Sequence, residues 1–227
     1  PLVLTEGKTD WKHLKNAIEK LNEGGKFLDL DLDFLKYESE IEMGDSHLKS
    51  LCEQTSKLNN NRKVICIFDR DDSKIIKEMD GQGENNFKDW GNSVFSFCIP
   101  KPSHRNEYNN ISIEFYYTDD EIKKIDTTTN KRLFFTNEIE EVMTKSKTNK
   151  KKINSKISIL ELPKEDEEAD KKVYCEDVEL IQNNEGESIA HSKNVFAEKI
   201  LKQEAGFDEF GINEFEKVFE VISEILN

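Results

Sequence analysis

Apolar residues enter this chain first as short unbroken runs, separated by stretches in which they recur at helical spacing. Leu2-Val3-Leu4 and Val64-Ile65-Cys66-Ile67-Phe68 have the pattern of strands buried on both faces. Val94 to Ile99 is a third such run, closed by Pro100 and Pro102. Between the first two, Trp11, Leu14, Ala17, Ile18 and Leu21 predict a helix over Asp10 to Leu21, stopped by Glu23-Gly24-Gly25. Phe27 to Leu35 alternates apolar and acidic residues, which suits a strand with one wet face. Ser46 to Leu58 predicts a second helix with Leu48, Leu51 and Leu58 turned inward and Asn59-Asn60-Asn61 at its end. A short segment around Ile75-Ile76 and a Gly- and Asn-rich loop from Gly81 to Asn86 follow the second run. This β-α-β-α-β order predicts an α/β fold with a mostly parallel sheet flanked by helices.

Beyond residue 117 the pattern loosens. Thr118-Asp119-Asp120-Glu121 reads as a capped helix start, and Arg132 to Phe135 as a short strand. Residues 144–172 are rich in Lys, Glu, Asp and Asn and read as an insertion or mobile loop. Val195, Phe196, Ile200 and Leu201 mark one helix; Phe215, Val218, Phe219, Ile222, Ile225 and Leu226 mark a final amphipathic helix expected to pack on the sheet. The expected organisation is a catalytic core over 1–117, an accessory inserted segment over 118–188, and C-terminal helices over 189–227 that complete the same domain.

Composition narrows the class. Over 227 residues, 35% apolar content against 35% charged content implies long solvated segments around one sizeable core. No apolar run approaches the roughly 18 residues needed to cross a bilayer. No positively charged start leads into an apolar stretch, so a cytoplasmic protein without membrane contact is expected. The four cysteines form no C-x-x-C pair, and Cys66 and Cys98 lie inside strand runs, as reduced buried thiols do. A net charge of −14 opposes non-specific attraction to nucleic acid. Local charge still counts: Lys145 to Lys152, with Lys150, Lys151 and Lys152, forms a basic patch able to follow a phosphate backbone, although a solvated loop is the plainer reading.

Candidate chemistry sits directly after the apolar runs. Glu6 and Asp10 follow the first, and Asp69 and Asp71 follow the second. Carboxylates at the carboxyl ends of neighbouring parallel strands share one crevice, where open α/β sheets bind ligands. Crowded like charges repel unless a cation sits among them, and hard oxygen donors suit Mg²⁺ or Mn²⁺. Such an arrangement predicts a metal-dependent site acting on phosphate. The plainer alternatives are an acidic turn capping the next helix and carboxylates favoured at a helix start. Gly7-Lys8-Thr9 looks like the tail of a phosphate-binding P-loop, but the glycine required five places earlier is Leu2. ATP, if used, therefore requires a partner or an upstream domain.

The order Leu4-Thr5-Glu6-Gly7-Lys8-Thr9-Asp10, followed by a strand ending Phe68-Asp69-Arg70-Asp71-Asp72, resembles the Toprim domain. The likeness is greatest to Toprim nucleases of the OLD (overcoming lysogenization defect) family. The Toprim motifs span about residues 2–117. The resemblance implies a Toprim-like (Rossmann-like) fold and two Mg²⁺ or Mn²⁺ ions held by Glu6, Asp10, Asp69 and Asp71. It also implies an additional acidic position at Glu114, and a late active-site lysine at Lys193, in Ser192-Lys193-Asn194-Val195-Phe196-Ala197. The implied function is an endonuclease or nickase, with DNA favoured over RNA, working beside an ABC-type ATPase in antiviral defence or repair. Lys8, Arg105, Lys150, Lys151 and Lys152 are the expected contacts to nucleic acid. Histidines His104 and His191 read as surface residues, and Tyr116 and Tyr117 as strand packing. Primase-like or RNA-processing activity, a homo-oligomer, and a non-catalytic adaptor docked on a partner protein are the remaining readings.

Overall fold

The computed structural model describes residues 1–36, 43–79, 86–145 and 152–227, with the backbone alone at 142–145 and 152–156. In chain order the elements are β1 (Leu2–Thr5), α1 (Asp10–Glu23), β2 (Asp33–Phe34), α2 (Asp45–Thr55), β3 (Val64–Phe68), α3 (Ser73–Met79), β4 (Lys88–Gly91), β5 (Val94–Cys98), α4 (Asp119–Ile122), β6 (Ile139–Lys145), β7 (Lys152–Ile159), α5 (Lys193–Leu201) and α6 (Glu216–Leu226). Five strands form one sheet in the order β2-β1-β3-β5-β4. The first four in that order run parallel, and β4 returns antiparallel to β5. This is an α/β architecture with a mostly parallel sheet flanked by helices, compatible with a Rossmann-like fold.

The apolar runs become strands because both faces of the sheet are covered. Val3, Ile65, Ile67 and Phe97 point into one cluster with Leu14, Ile18, Phe196 and Phe219. Leu4, Val64, Cys66, Phe68 and Val94 alternate onto the other face, against Leu48, Cys52, Ile75 and Met79. Successive strand residues face opposite sides, so two buried faces require every position to be apolar. Helices α1, α5 and α6 thus cover one side, and α2 and α3 the other. Among the described residues, no helix is long and apolar enough to cross a membrane.

Several expected elements take a different form. The alternation over Phe27 to Leu35 yields only the two-residue β2; Phe27 has φ 54° and starts a turn in which Leu30 N–H donates to Phe27 O at 3.0 Å. Leu30 and Phe34 dip into the core while Leu28 is 71% exposed, so the apolar rhythm records anchoring rather than a strand ladder. α2 ends at Thr55, which leaves Leu58 outside the helix and 62% exposed instead of inward. Arg132 to Phe135 forms no strand: Arg132 pairs in a single bridge with Ala190 and Phe135 in another with Val173. Residues 144–172, expected as an insertion or mobile loop, contribute to the antiparallel β6–β7 pair and contain a 3₁₀ helix at Glu165–Asp170. The hairpin covers a small separate cluster of Phe134, Ile139, Ile157, Tyr174, Ile181 and Ala190. The loop expected over Gly81 to Asn86 lies outside the described residues except for Asn86.

The C-terminal helices reach the sheet through an aromatic cluster. Tyr117 lies with ring centroids 5.5 Å from Phe210 and 5.4 Å from Phe215, and Phe196 lies 5.9 Å from both Phe207 and His13. Phe196 is 1% exposed and joins α5 to α1 and to the segment carrying Tyr117. Truncation to Phe196→Ala is expected to destabilise the protein by about 3–5 kcal/mol in chemical denaturation; a loss below about 1 kcal/mol would show that α5 is not part of the cooperative core.

Candidate functional site

Glu6 and Asp69 are placed by the register of the two central strands. Thr5 stands opposite Ile67, Glu6 N–H donates to Ile67 O at 3.0 Å, and Asp69 N–H donates to the Glu6 carboxylate at 3.1 Å. The carboxyl ends of β1 and β3 are therefore joined by an acidic side chain. Just beyond, Gly7 N–H donates to Asp10 Oδ2 at 2.6 Å as α1 begins. A Cβ on Gly7 would lie 2.4 Å from Asp10 Oδ1, so this position of the Asp10 carboxylate leaves no room for a side chain at residue 7.

Glu114 arrives from a different part of the chain. The backbone of Arg70, directly after Asp69, exchanges two hydrogen bonds with Ile111 at 2.8 and 3.0 Å. That bridge sets the start of a 3₁₀ helix, Ile113–Tyr116, on which Glu114 is 1% exposed. Ser112 Oγ donates to Glu114 Oε2 at 2.7 Å and Lys193 Nζ donates to the same oxygen at 3.1 Å. Glu114 Oε1 is buried without a hydrogen-bond partner among the described residues. Lys193 opens α5, which is capped by Ser192 Oγ accepting from Val195 N–H at 3.3 Å.

The charges of these groups act on one another. Burial, then Asp71, Asp10 and Asp45, push Glu6 from its ordinary 4.5 up to about 7, against the lowering effect of the Asp69 amide. Asp10 is pushed up to about 6 by burial and by Glu114, with the Gly7 amide and Lys193 opposing. Asp69 is driven well above the usual carboxylate range by burial and by Asp10, with Lys193 opposing. Burial alone would raise Glu114, but Lys193, His13 and Ser112 outweigh it and hold this carboxyl below its usual value. Lys193 is held above the ordinary lysine value, because Glu114, Asp69 and Asp10 outweigh its burial. Close under the site, the His13 ring is fully buried, bonded through Nδ1 to the Tyr117 hydroxyl at 3.1 Å, and depressed to about 4, chiefly by burial.

The remaining acidic residues separate into two roles. Asp71 is exposed at the rim and paired with Lys172 Nζ at 2.9 Å. Asp72 is the helix cap: its Oδ1 accepts from Lys74 N–H at 2.7 Å and Ile75 N–H at 3.1 Å. The capping alternative thus describes Asp72 and not Asp69.

A divalent cation is the group this donor set suits. Hard carboxylate oxygens, and carboxyls raised by burial and then by one another's charge, match Mg²⁺ or Mn²⁺ in kind and in charge. Among the described residues, however, no three His, Cys, Asp or Glu side chains converge as a ready-made ion cage. Asp10 is turned onto the Gly7 amide, Asp71 onto Lys172, Glu6 onto the Asp69 amide and Glu114 onto Ser112 and Lys193, so each of these four carboxylates is engaged by protein donors.

Expected phosphate contacts fare unevenly. Lys8 is exposed beside the site. Arg105, expected at the crevice, is 4% exposed and structural: Nη2 lies 2.7 Å from Asp119 and 3.0 Å from Tyr117 O. Its guanidinium is consumed inside the protein, where a solvated substrate cannot reach it. Lys150 and Lys151 lie outside the described residues, and Lys152 begins β7. His191 is not a surface residue but 4% exposed, with Nε2 3.3 Å from Asp126; His104 is exposed as expected. Tyr116 and Tyr117 do pack in the core, yet on and after a 3₁₀ helix rather than in a strand. Three residues without a sequence signal join the site: Ser112, His13 and Lys172. Comparison with protein-family models, curated proteins and solved structures finds no match.

The raised carboxyls have a consequence for stability. A carboxyl whose folded value exceeds its unfolded value favours folding when protonated; that contribution is complete below about 4.5 and is lost as pH rises through about 7 for Glu6. Glu6→Gln, which keeps an acceptor for the Asp69 amide, is expected to stabilise the metal-free protein at pH 8. The gain should be roughly 1–2 kcal/mol after allowance for solvent at a half-exposed group, and should vanish below about pH 5. Thermal melts of both proteins across that range test it; a pH-independent difference would remove the charge repulsion invoked here.

Proposed function

We propose that this protein is a Toprim-type, metal-dependent nuclease that hydrolyses phosphodiester bonds, with DNA as the favoured substrate and RNA as the other. The observation that carries the reading is the joining of Glu6 and Asp69 across neighbouring parallel strand ends, with Asp10, Glu114 and Lys193 acting on the same charges. Mg²⁺ or Mn²⁺, when bound, supplies a water of lowered pKa and positive charge at the leaving oxygen. Glu6, Asp10, Asp69 and Asp71 would hold it, with Glu114 behind them. Glu6, where it does not itself bridge the metal, would accept the proton of the attacking water. Lys193, fixed by Glu114 at 3.1 Å, would set its ammonium against a non-bridging phosphate oxygen as charge builds there. An ABC-type ATPase partner and a role in antiviral defence belong to this reading through the family resemblance.

A second reading, a non-catalytic Toprim-fold adaptor, draws on the absence of a three-ligand ion cage among the described residues. Mn²⁺ and Mg²⁺ titration separates the two, with plasmid, tRNA and single-stranded DNA as substrates. The nuclease reading expects cleavage that requires metal, falls at least about 100-fold in Asp69→Ala, and falls about 10²–10³-fold in Lys193→Met. Absence of both metal binding and cleavage in the parent protein would favour the adaptor.

A further inference from the structure

Lys172 is a cation held against the Asp-x-Asp stretch that neither the sequence pattern nor the family resemblance singles out. Its ammonium lies 2.9 Å from Asp71 Oδ2, and its charge also reaches Asp72. The head group is exposed, but the backbone behind it is anchored. Lys172 N–H donates to Thr136 Oγ1 at 3.0 Å, Thr136 N–H donates to Lys172 O at 2.9 Å, and the next residue, Val173, bridges to Phe135. The preceding Lys171 is 2% exposed and ion-paired with Asp119 and Glu168. A flexible side chain therefore springs from a fixed point beside the crevice, where it can reach Asp71 or an anion bound next to it.

The local charge balance makes this placement informative. Among the described residues, Lys193 acts on Glu114, Asp69 and Asp10, and Lys172 on Asp71, while Asp71 and Asp10 add to the charge around Glu6. Beside them, Glu114 Oε1 is buried with no hydrogen-bond partner among the described residues. Lys193 is committed to the buried Glu114, whereas Lys172 holds an exposed carboxylate through a pair that water weakens.

We propose that Lys172 is an exchangeable counter-ion of the crevice: a divalent cation competes with its ammonium for Asp71, and the displaced ammonium then binds a backbone phosphate of the nucleic acid. The proposal rests on the nuclease reading. It makes two opposite demands on one residue: removing Lys172 should tighten metal binding and weaken substrate binding. A merely structural ion pair would do neither, or would weaken both.

The test compares the full chain with Lys172→Gln, in Asp71 and Asp71→Asn backgrounds, after thermal melts show equal stability. Mn²⁺ affinity is read by calorimetry without nucleic acid; affinity for a fluorescein-labelled DNA duplex is read by anisotropy in Ca²⁺ across a salt series. Expected are a roughly 2–5-fold tighter Mn²⁺ affinity in Lys172→Gln, abolished in the Asp71→Asn background, and weaker DNA binding. The slope of log K against log salt should also fall by about 0.9, the signature of one lost phosphate contact. Unchanged or weaker Mn²⁺ affinity, or an unchanged salt slope, in a parent protein that binds Mn²⁺ and cleaves DNA overturns the role of Lys172 alone. A parent protein that binds no Mn²⁺ overturns the nuclease reading, and the exchange with it.

Discussion

The hydrogen bond from the Asp69 amide to the Glu6 carboxylate is the constraint on which the site depends. A parallel pair of strands places its two carboxyl ends side by side, and the ladder continues one residue past β1 through Glu6 N–H to Ile67 O. Glu6 then has to lie across the end of β3, where it meets the first residue after Phe68. Everything acidic in the crevice is arranged around that tie. Gly7, with no side chain, leaves room for the Asp10 carboxylate on its amide, and Arg70 pairs with Ile111 to bring Glu114 in from the far side.

Burial is what gives these carboxylates their character. Because helices cover both faces of the sheet, the strand ends emerge into a partly enclosed space rather than into open water. Desolvation then penalises each charge, and the neighbouring charges add to the penalty. Protein donors relieve part of it: the Gly7 amide for Asp10, Ser112 and Lys193 for Glu114, Lys172 for Asp71. What they leave unrelieved is an excess of negative charge with hard oxygen donors. Charge of this kind costs stability, since a polar group kept without a partner in the interior costs free energy that a packed apolar residue would not.

The same logic shows why some cations near the crevice are unavailable. Arg105 and Lys171 both lead inward to Asp119, and Lys12 to Glu198 and Asn194, so their charges hold segments together. His191, Asp126 and Lys199 form another internal knot between the loop after α4 and the start of α5. Lys193 and Lys172, in contrast, turn their ammonium groups onto the acidic cluster itself. Position in the network, more than residue type, separates the structural lysines from those that face the site.

The sequence alone was enough to identify the strands β1, β3 and β5, the helices α1 and α6, and the acidic residues that follow the first two strands. Continuous apolar runs and helical spacing are local signals, and a strand buried on both faces leaves no other pattern. Glu6 and Asp69 were legible as neighbours because parallel order and strand ends follow from that pattern. Only the tertiary structure decided the rest. The alternation from Phe27 to Leu35 became a turn with a two-residue strand, because core anchoring and strand pairing leave the same apolar rhythm. Arg105 and His191 went inside, and Ser112, His13 and Lys172 came to the site, through contacts between residues far apart in the chain. Partners at such separations are set by how the helices and the segments after β5 pack together, and no local periodicity encodes that packing.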